Sequence, residues 1–286
     1  MRILAAQIHI PAISTKEEQV SYIHSLLQRL KEQLYLNSVD LIVLPELSTM
    51  EYSIENFQKI NIFSEALFGN IHNVFSEFCR SNNVAVCYGL PRIDGDKTYI
   101  SQVVLNKQGE YLTHYDKVHL AEYGDSSESR FFSRGNHLAV FDIEGIKAGI
   151  IICYDMRFPE LARRYRKEFN IDVLIHPVAF AQDCSFPSWK QFVVSRALEN
   201  QIFFLSLNRA GPHFGFSTVC PPWIDDQVNP IVFGESEEFR VIEIDKQVLC
   251  RVREEIPFSK DSLSSYGSLG VVGKCDTDVE NKILSV

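Results

Sequence analysis

Three residues of the chain have the chemistry to break an amide between them, and each stands where an apolar run ends. Cys153 follows Gly149-Ile150-Ile151-Ile152 and precedes Tyr154-Asp155-Met156-Arg157-Phe158-Pro159-Glu160. Isoleucines in series after a glycine read as a buried strand, and Pro159 followed by Glu160-Leu161-Ala162 reads as the first turn of a helix. A thiol is therefore expected at a sheet edge, where helix-start N–H groups can lower its pKa from the free value of about 8.5. Glu46 closes the apolar run of residues 40–46, and Lys117 follows the run that ends in Tyr115-Asp116. An acid, an amine and a thiol supply a proton acceptor, a positive charge for an oxyanion and a nucleophile. Taken singly, each has a plainer reading as a strand exit, an edge lysine or a buried cysteine.

The elements that must carry these groups alternate. Residues 2–10 read as an opening strand, and Thr15-Lys16-Glu17-Glu18 reads as a capping box ahead of a helix whose Val20, Ile23, Leu27, Leu30 and Leu34 should face a sheet. A strand ending at Glu46, a loop containing Met50 and Tyr52, one long helix over residues 55–79 and a strand at 84–89 follow. Residues 99–105 and 111–115 read as a hairpin, which makes the sheet mixed. The Ser-, Gly- and charge-rich stretch 121–136 is a long loop bordering Lys117, and loops of that length inside a compact domain are usually functional. After the cysteine come a strand at 171–177, a helix at 187–200 and a second run of strands at 202–207, 215–219, 231–233 and 239–244. The class is α/β, in one domain with a C-terminal extension.

Composition narrows the partners. With 286 residues, 45% hydrophobic, the chain can bury a large core, and a net charge of −9 argues against nucleic acid and anionic membranes as partners. There is no apolar run of about 18 residues and no signal-peptide pattern, so a cytoplasmic protein is expected. Seven cysteines without a C-x-x-C pair and eight histidines without an H-x-x-x-H pair give neither a disulfide framework nor a metal-ligand set. No glycine-rich phosphate loop appears, so cofactors are expected to be none and the chemistry to come from side chains. The expected partner is a small molecule.

Pro45-Glu46, Lys117-Val118-His119-Leu120 and Cys153-Tyr154-Asp155, in that chain order, resemble the nitrilase superfamily of carbon–nitrogen hydrolases. The resemblance runs from residue 2 to about 257 and implies a four-layer α-β-β-α sandwich of two mixed sheets covered by helices. It implies that Glu46, Lys117 and Cys153 are catalytic, with the Tyr154 N–H beside Lys117 at the oxyanion. Glu128-Ser129-Arg130-Phe131-Phe132 ahead of Gly135 resembles the family's glutamate loop, which makes Glu128 an accessory catalytic group. Tyr52, Tyr154 and Arg157 are the expected substrate contacts, and His119 is expected to be structural. Members generally pair, so residues 258–286 are expected to lie across a neighbour in a homodimer or higher homo-oligomer.

Cys153-Tyr154-Asp155-Met156-Arg157-Phe158-Pro159-Glu160-Leu161 is similar to the corresponding stretch of omega-amidases and deaminated-glutathione amidases, as is Arg253-Glu254-Glu255-Ile256-Pro257. True nitrilases usually carry Trp-Glu after the cysteine. The branch implies a terminal amide on a short acid, such as the monoamide of a C4 or C5 dicarboxylate, with Arg157, Arg130 or Arg134 facing the distal carboxylate. An N-carbamoyl amidohydrolase and a non-catalytic binding protein on the same fold are the alternatives. Two departures stand out: His176 replaces an aromatic common before Pro177, and Pro221-Pro222-Trp223 replaces a usual Pro-x-Gly.

Overall fold

Alternation along the strands sets the layering. The computed structural model describes residues 1–122, 127–263, 265–266 and 269–270. β1 (Arg2–Gln7) leads to α1 (Lys16–Leu36), which opens on the expected capping box: Thr15 Oγ1 accepts from Glu18 N–H at 3.2 Å, and Glu18 Oε2 accepts from Thr15 N–H at 3.3 Å. The buried stripe of α1 is Gln19, Tyr22, Ile23, Leu26, Leu27 and Leu30. Val20, expected in it, is 41% exposed. At roughly 100° per residue it falls on the margin of that stripe.

β2 (Leu41–Val43) runs parallel to β1. The strand expected to reach Glu46 ends sooner, because Leu44 N–H makes a last bond to Cys87 C=O and Pro45 has no N–H with which to continue. The long helix expected over 55–79 is three pieces, α2 (Ile54–Gln58), α3 (Ile60–Phe63) and α4 (Asn70–Asn82). Glu65 causes the wider break. Its N–H donates to Pro91 C=O and its C=O accepts from Ile93 N–H, while its carboxylate accepts from Ile71 N–H at 2.8 Å and starts α4. Pairing with a strand outweighs helix propensity there. β3 (Ala85–Asp94), β4 (Lys97–Leu105) and β5 (Tyr111–Asp116) then form an antiparallel meander.

The second half contributes β6 (Val140–Ile143), β7 (Ile146–Ile150), a helical turn at Cys153–Arg157, α5 (Pro159–Phe169), β8 (Val173–Pro177), α6 (Phe186–Asn200), β9 (Phe203–Leu207), β10 (Thr218–Cys220) and β11 (Ile231–Val232). β7, β8 and β9 are parallel, and the sheet order is β11-β10-β9-β8-β7-β6. β12 (Glu238–Glu243), expected with this second run, instead pairs antiparallel with β1, giving the first sheet the order β12-β1-β2-β3-β4-β5. Period-two alternation reports a buried face without saying which sheet it belongs to. α7 (Lys246–Glu255) and α8 (Phe258–Asp261) complete the chain as described. Most of the 258–286 extension, with its expected contact to a neighbouring subunit, lies outside the described residues.

The two six-stranded mixed sheets face each other, with helices outside: the four-layer sandwich. Val173, Ile175, Phe203, Leu205 and Leu207 join the apolar cluster that holds Ile3, Ala5 and Val43 of the first sheet. Their alternates Leu174 and Phe204 join Tyr165 of α5 and Trp189 and Val193 of α6. Each such side chain contributes roughly 1.5–3 kcal/mol on leaving water, so a one-residue slip of β8 would be prohibitive, and the residues at its end are fixed in space. Among the described residues no helix is long and apolar enough to cross a membrane.

Candidate active site

Glu46 stands in the turn that follows β2, and the turn is pressed onto β3. Gly89 lets it approach: a Cβ there would lie 2.6 Å from Leu47 N and 2.8 Å from Pro45 O. Ser48 Oγ accepts from Gly89 N–H at 2.9 Å, and Thr49 Oγ1 donates to Gly89 C=O at 3.0 Å. From the opposite sheet the buried Arg209 guanidinium donates to the carbonyls of Leu47 at 2.8 Å and Met50 at 2.6 Å, with a longer contact to that of Glu46. The Glu46 side chain is fully buried. Its Oε1 accepts from Lys117 Nζ at 2.9 Å and its Oε2 from Ala179 N–H at 2.8 Å.

Lys117 follows β5 and also has no exposed surface. Its ammonium donates to Glu128 Oε1 at 2.7 Å as well as to Glu46. Glu128, in a short helical turn of the loop, is buried too, accepting from Tyr52 Oη–H at 2.6 Å and Ala121 N–H at 2.7 Å. Gly135 closes this loop against β5: its N–H donates to Lys117 C=O at 2.9 Å, and a Cβ there would overlap Asp116 C=O. Burial pushes the Glu46 carboxyl up, the Lys117 charge pulls it down, Glu128 pushes it up again, and the net direction is upward. For Lys117 burial opposes the charge, but the two carboxylates outweigh it and hold the ammonium well above its ordinary range.

Cys153 opens the turn after β7 with φ of 44°, a left-handed backbone that costs a non-glycine residue about 1–3 kcal/mol. Asp155, fully buried, holds that turn. Its carboxylate accepts from Ile152 N–H at 3.0 Å, His119 N–H at 2.8 Å, His119 Nδ1–H at 2.7 Å and Tyr115 Oη–H at 2.8 Å. The thiol is half-buried, and desolvation followed by the neighbouring Glu46 pushes it well above the usual thiol range, while Lys117 and the Ala179 N–H partly offset this. The expected lowering by a helix N-terminus is not what the fold provides, because α5 begins only at Pro159, six residues further on.

The structure thus gathers Glu46, Lys117, Glu128 and Cys153, with Tyr52 bonded to Glu128. Tyr154 and Arg157 follow the thiol in the same turn, and the Arg157 guanidinium lies 5.9 Å from the Tyr154 ring, 5.8 Å from Phe180 and 5.4 Å from Phe192. Arg130 and Arg134 are exposed, and their charges act on Glu122. His119 faces Asp155 and stacks on Phe158 at 3.7 Å, in keeping with a structural role. Trp223 packs against Phe258. Ala179, Arg209 and Asp155 escaped the sequence, the first two because they act through backbone groups brought close only by closure of the two sheets. Among the described residues one donor group could suggest a metal: His114, Asp116 and His137. Arg92 already donates to both Asp116 oxygens at 3.1 and 2.8 Å, placing a cation there.

The carbon–nitrogen hydrolase family model matches residues 2–250. The chain is 27% identical to omega-amidase NIT2 of Danio rerio over 283 residues, covering 95% of this chain and 98% of the relative. It is 26% identical to the deaminated glutathione amidase of Dictyostelium discoideum, covering 90% and 93%. Among solved structures, Saccharomyces cerevisiae Nit3, a nitrilase-superfamily member, superposes with a TM-score of 0.77 at 25% identity, covering 91% of this chain and 96% of that one. With that match spanning both sheets and the three expected strand ends gathered at one place, the chain belongs to the carbon–nitrogen hydrolase family of the nitrilase superfamily.

Proposed function

We propose that the protein is a cysteine-dependent amidase that releases ammonia from a small linear amide through a thioester on Cys153. The observation that carries this reading is the dry cluster of Glu46, Lys117 and Glu128 beside a half-buried thiol. Next to the anionic Glu46 a free thiolate is disfavoured, so the proton stays on sulfur until the substrate carbonyl arrives. Glu46 then takes that proton as sulfur bonds to the carbonyl carbon, and the carbonyl π electrons move to oxygen. Lys117 and the Tyr154 N–H hold the oxyanion. On collapse the C–N bond breaks, Glu46 hands its proton to nitrogen, and ammonia leaves a thioester. Glu46 next takes a proton from water, the hydroxide adds to the thioester, and the thiol departs with its proton restored. Glu128 keeps the Lys117 ammonium aimed and Tyr52 keeps Glu128 in place.

For the substrate we read a short acid carrying a terminal amide and a distal carboxylate, as the omega-amidase relatives suggest. Such a carboxylate needs a cation, since a buried unpaired charge costs several kcal/mol. Arg157 is the candidate, because its guanidinium lies beside the rings of Tyr154 and Phe180, the neighbours in sequence of Cys153 and Ala179. The test compares kcat/KM for the monoamide of a C4 or C5 dicarboxylate with that for the amide lacking the far carboxylate. The expected preference is roughly ten- to a thousandfold, the scale of a charge-assisted hydrogen bond. Equal rates, or faster turnover of a neutral or carbamoyl substrate, would keep the hydrolase and reject this substrate.

A further inference from the structure

The strained Cys153 peptide is gripped by a chain of three side chains that the mechanism above does not use. His176 Nε2 lies 2.8 Å from Cys153 C=O, His176 Nδ1 lies 2.8 Å from Ser206 Oγ, and Trp189 Nε1 lies 2.8 Å from the same Ser206 Oγ. His176 and Ser206 are register partners on β8 and β9, and Trp189 reaches them from α6. Both ends of this chain fix its polarity. An indole N–H only donates and a peptide carbonyl only accepts, so Trp189 donates to Ser206, Ser206 donates to His176 Nδ1, and His176 Nε2–H donates to Cys153. All three side chains are buried, where a polar group left without its partner is costly.

The consequence lies on the other side of the same peptide unit. In a trans peptide the C=O of Cys153 and the N–H of Tyr154 are rigidly opposed, so whatever holds the carbonyl also aims the N–H. We infer that His176 is a positioning residue for the reaction: it directs the Tyr154 N–H at the oxyanion through the hydrogen bond it makes to Cys153 C=O, and Ser206 and Trp189 hold it in the required tautomer. Burial lowers the His176 pKa to about 4, so the imidazole is neutral at neutral pH and keeps one donor and one acceptor.

The inference rests on Cys153 as the nucleophile, so the experiment reads the two separately. In His176→Phe, kcat on any turned-over amide should fall roughly ten- to a hundredfold with KM little changed, because an oxyanion donor acts in the transition state. Labelling of Cys153 by methyl methanethiosulfonate, in which the cysteine sulfur attacks the reagent's thio sulfur to form a disulfide and methanesulfinate leaves, with no carbonyl oxyanion to hold, should keep its rate within about twofold. A second pair guards against a variant that fails to fold. His176→Gln carries an N–H where Nε2 was, whereas His176→Asn carries one only where Nδ1 was, so the Gln variant should keep the larger kcat. Unchanged kcat in the Phe variant, equal kcat in the Gln and Asn variants, or parallel losses of kcat and labelling would overturn the inference. Full activity in Cys153→Ala would overturn the nucleophile itself, and the inference with it.

Discussion

Glu46 works among fixed charges. Glu128 pushes its carboxyl up and Lys117 pulls it down, while Arg209, lowered to about 10 by burial, still brings a second cation at neutral pH. Two carboxylates against two cations leave the buried site close to neutral, which limits the desolvation cost of assembling it. The sign for catalysis follows from the direction of the Glu46 shift. In the proposed mechanism Glu46 must be ionised to accept the thiol proton, and its pKa lies above the ordinary 4.5, so activity is expected above that raised value and is expected to be lost as pH falls through it. The acid limb of the kcat/KM profile is expected above pH 4.5. Since the Glu128 charge contributes to the rise, Glu128→Gln should move the limb to lower pH even as it lowers the plateau. A limb that moves to higher pH in that variant would contradict the assignment of Glu46 as the base.

At the scale of elements, two turns bear the burden, and each depends on a neighbour far away in sequence. The Glu46 turn seats on Gly89 of β3, where a Cβ would meet Leu47 N and Pro45 O at 2.6 and 2.8 Å, both backbone atoms that cannot swing aside. Gly89→Ala is therefore expected to cost about 1–3 kcal/mol in a urea titration, the usual scale of overpacking, and to lower kcat/KM in the remaining folded enzyme by displacing Glu46. Unchanged stability and activity would show that the turn is not seated there. The same dependence explains what was legible in the sequence. Glu46, Lys117 and Cys153 could be read because each directly follows its own apolar run and has recognisable neighbours. Ala179, Arg209 and His176 could not, since their contributions pass through backbone groups that meet only after folding. The break at Glu65 and the return of β12 to β1 were hidden likewise, since a strand partner more than twenty residues away leaves no mark on local periodicity.

Viewed as a whole molecule, the site is divided between the two sheets and exists only when they close. Glu46 and Lys117 come from the ends of first-sheet strands, whereas Cys153, Ala179 and Arg209 come from the ends of second-sheet strands. Gln7 of β1 helps to bind the halves. Its Oε1 accepts from Ser217 N–H at 3.0 Å and its Nε2 donates to Gly234 C=O at 2.8 Å. The bonds from Ala179 and Arg209 to the Glu46 turn cross the same seam, so the Glu46 carboxyl and the Cys153 thiol acquire their relative placement from the global fold. The most direct measurement is a rapid acid quench of the enzyme turning over an amide, followed by peptide mapping. The expected result is the acyl group of the substrate as a thioester on Cys153, formed with one equivalent of ammonia and absent from Cys153→Ala. Ammonia release that persists in Cys153→Ala, or an acyl group on a different cysteine, would contradict it.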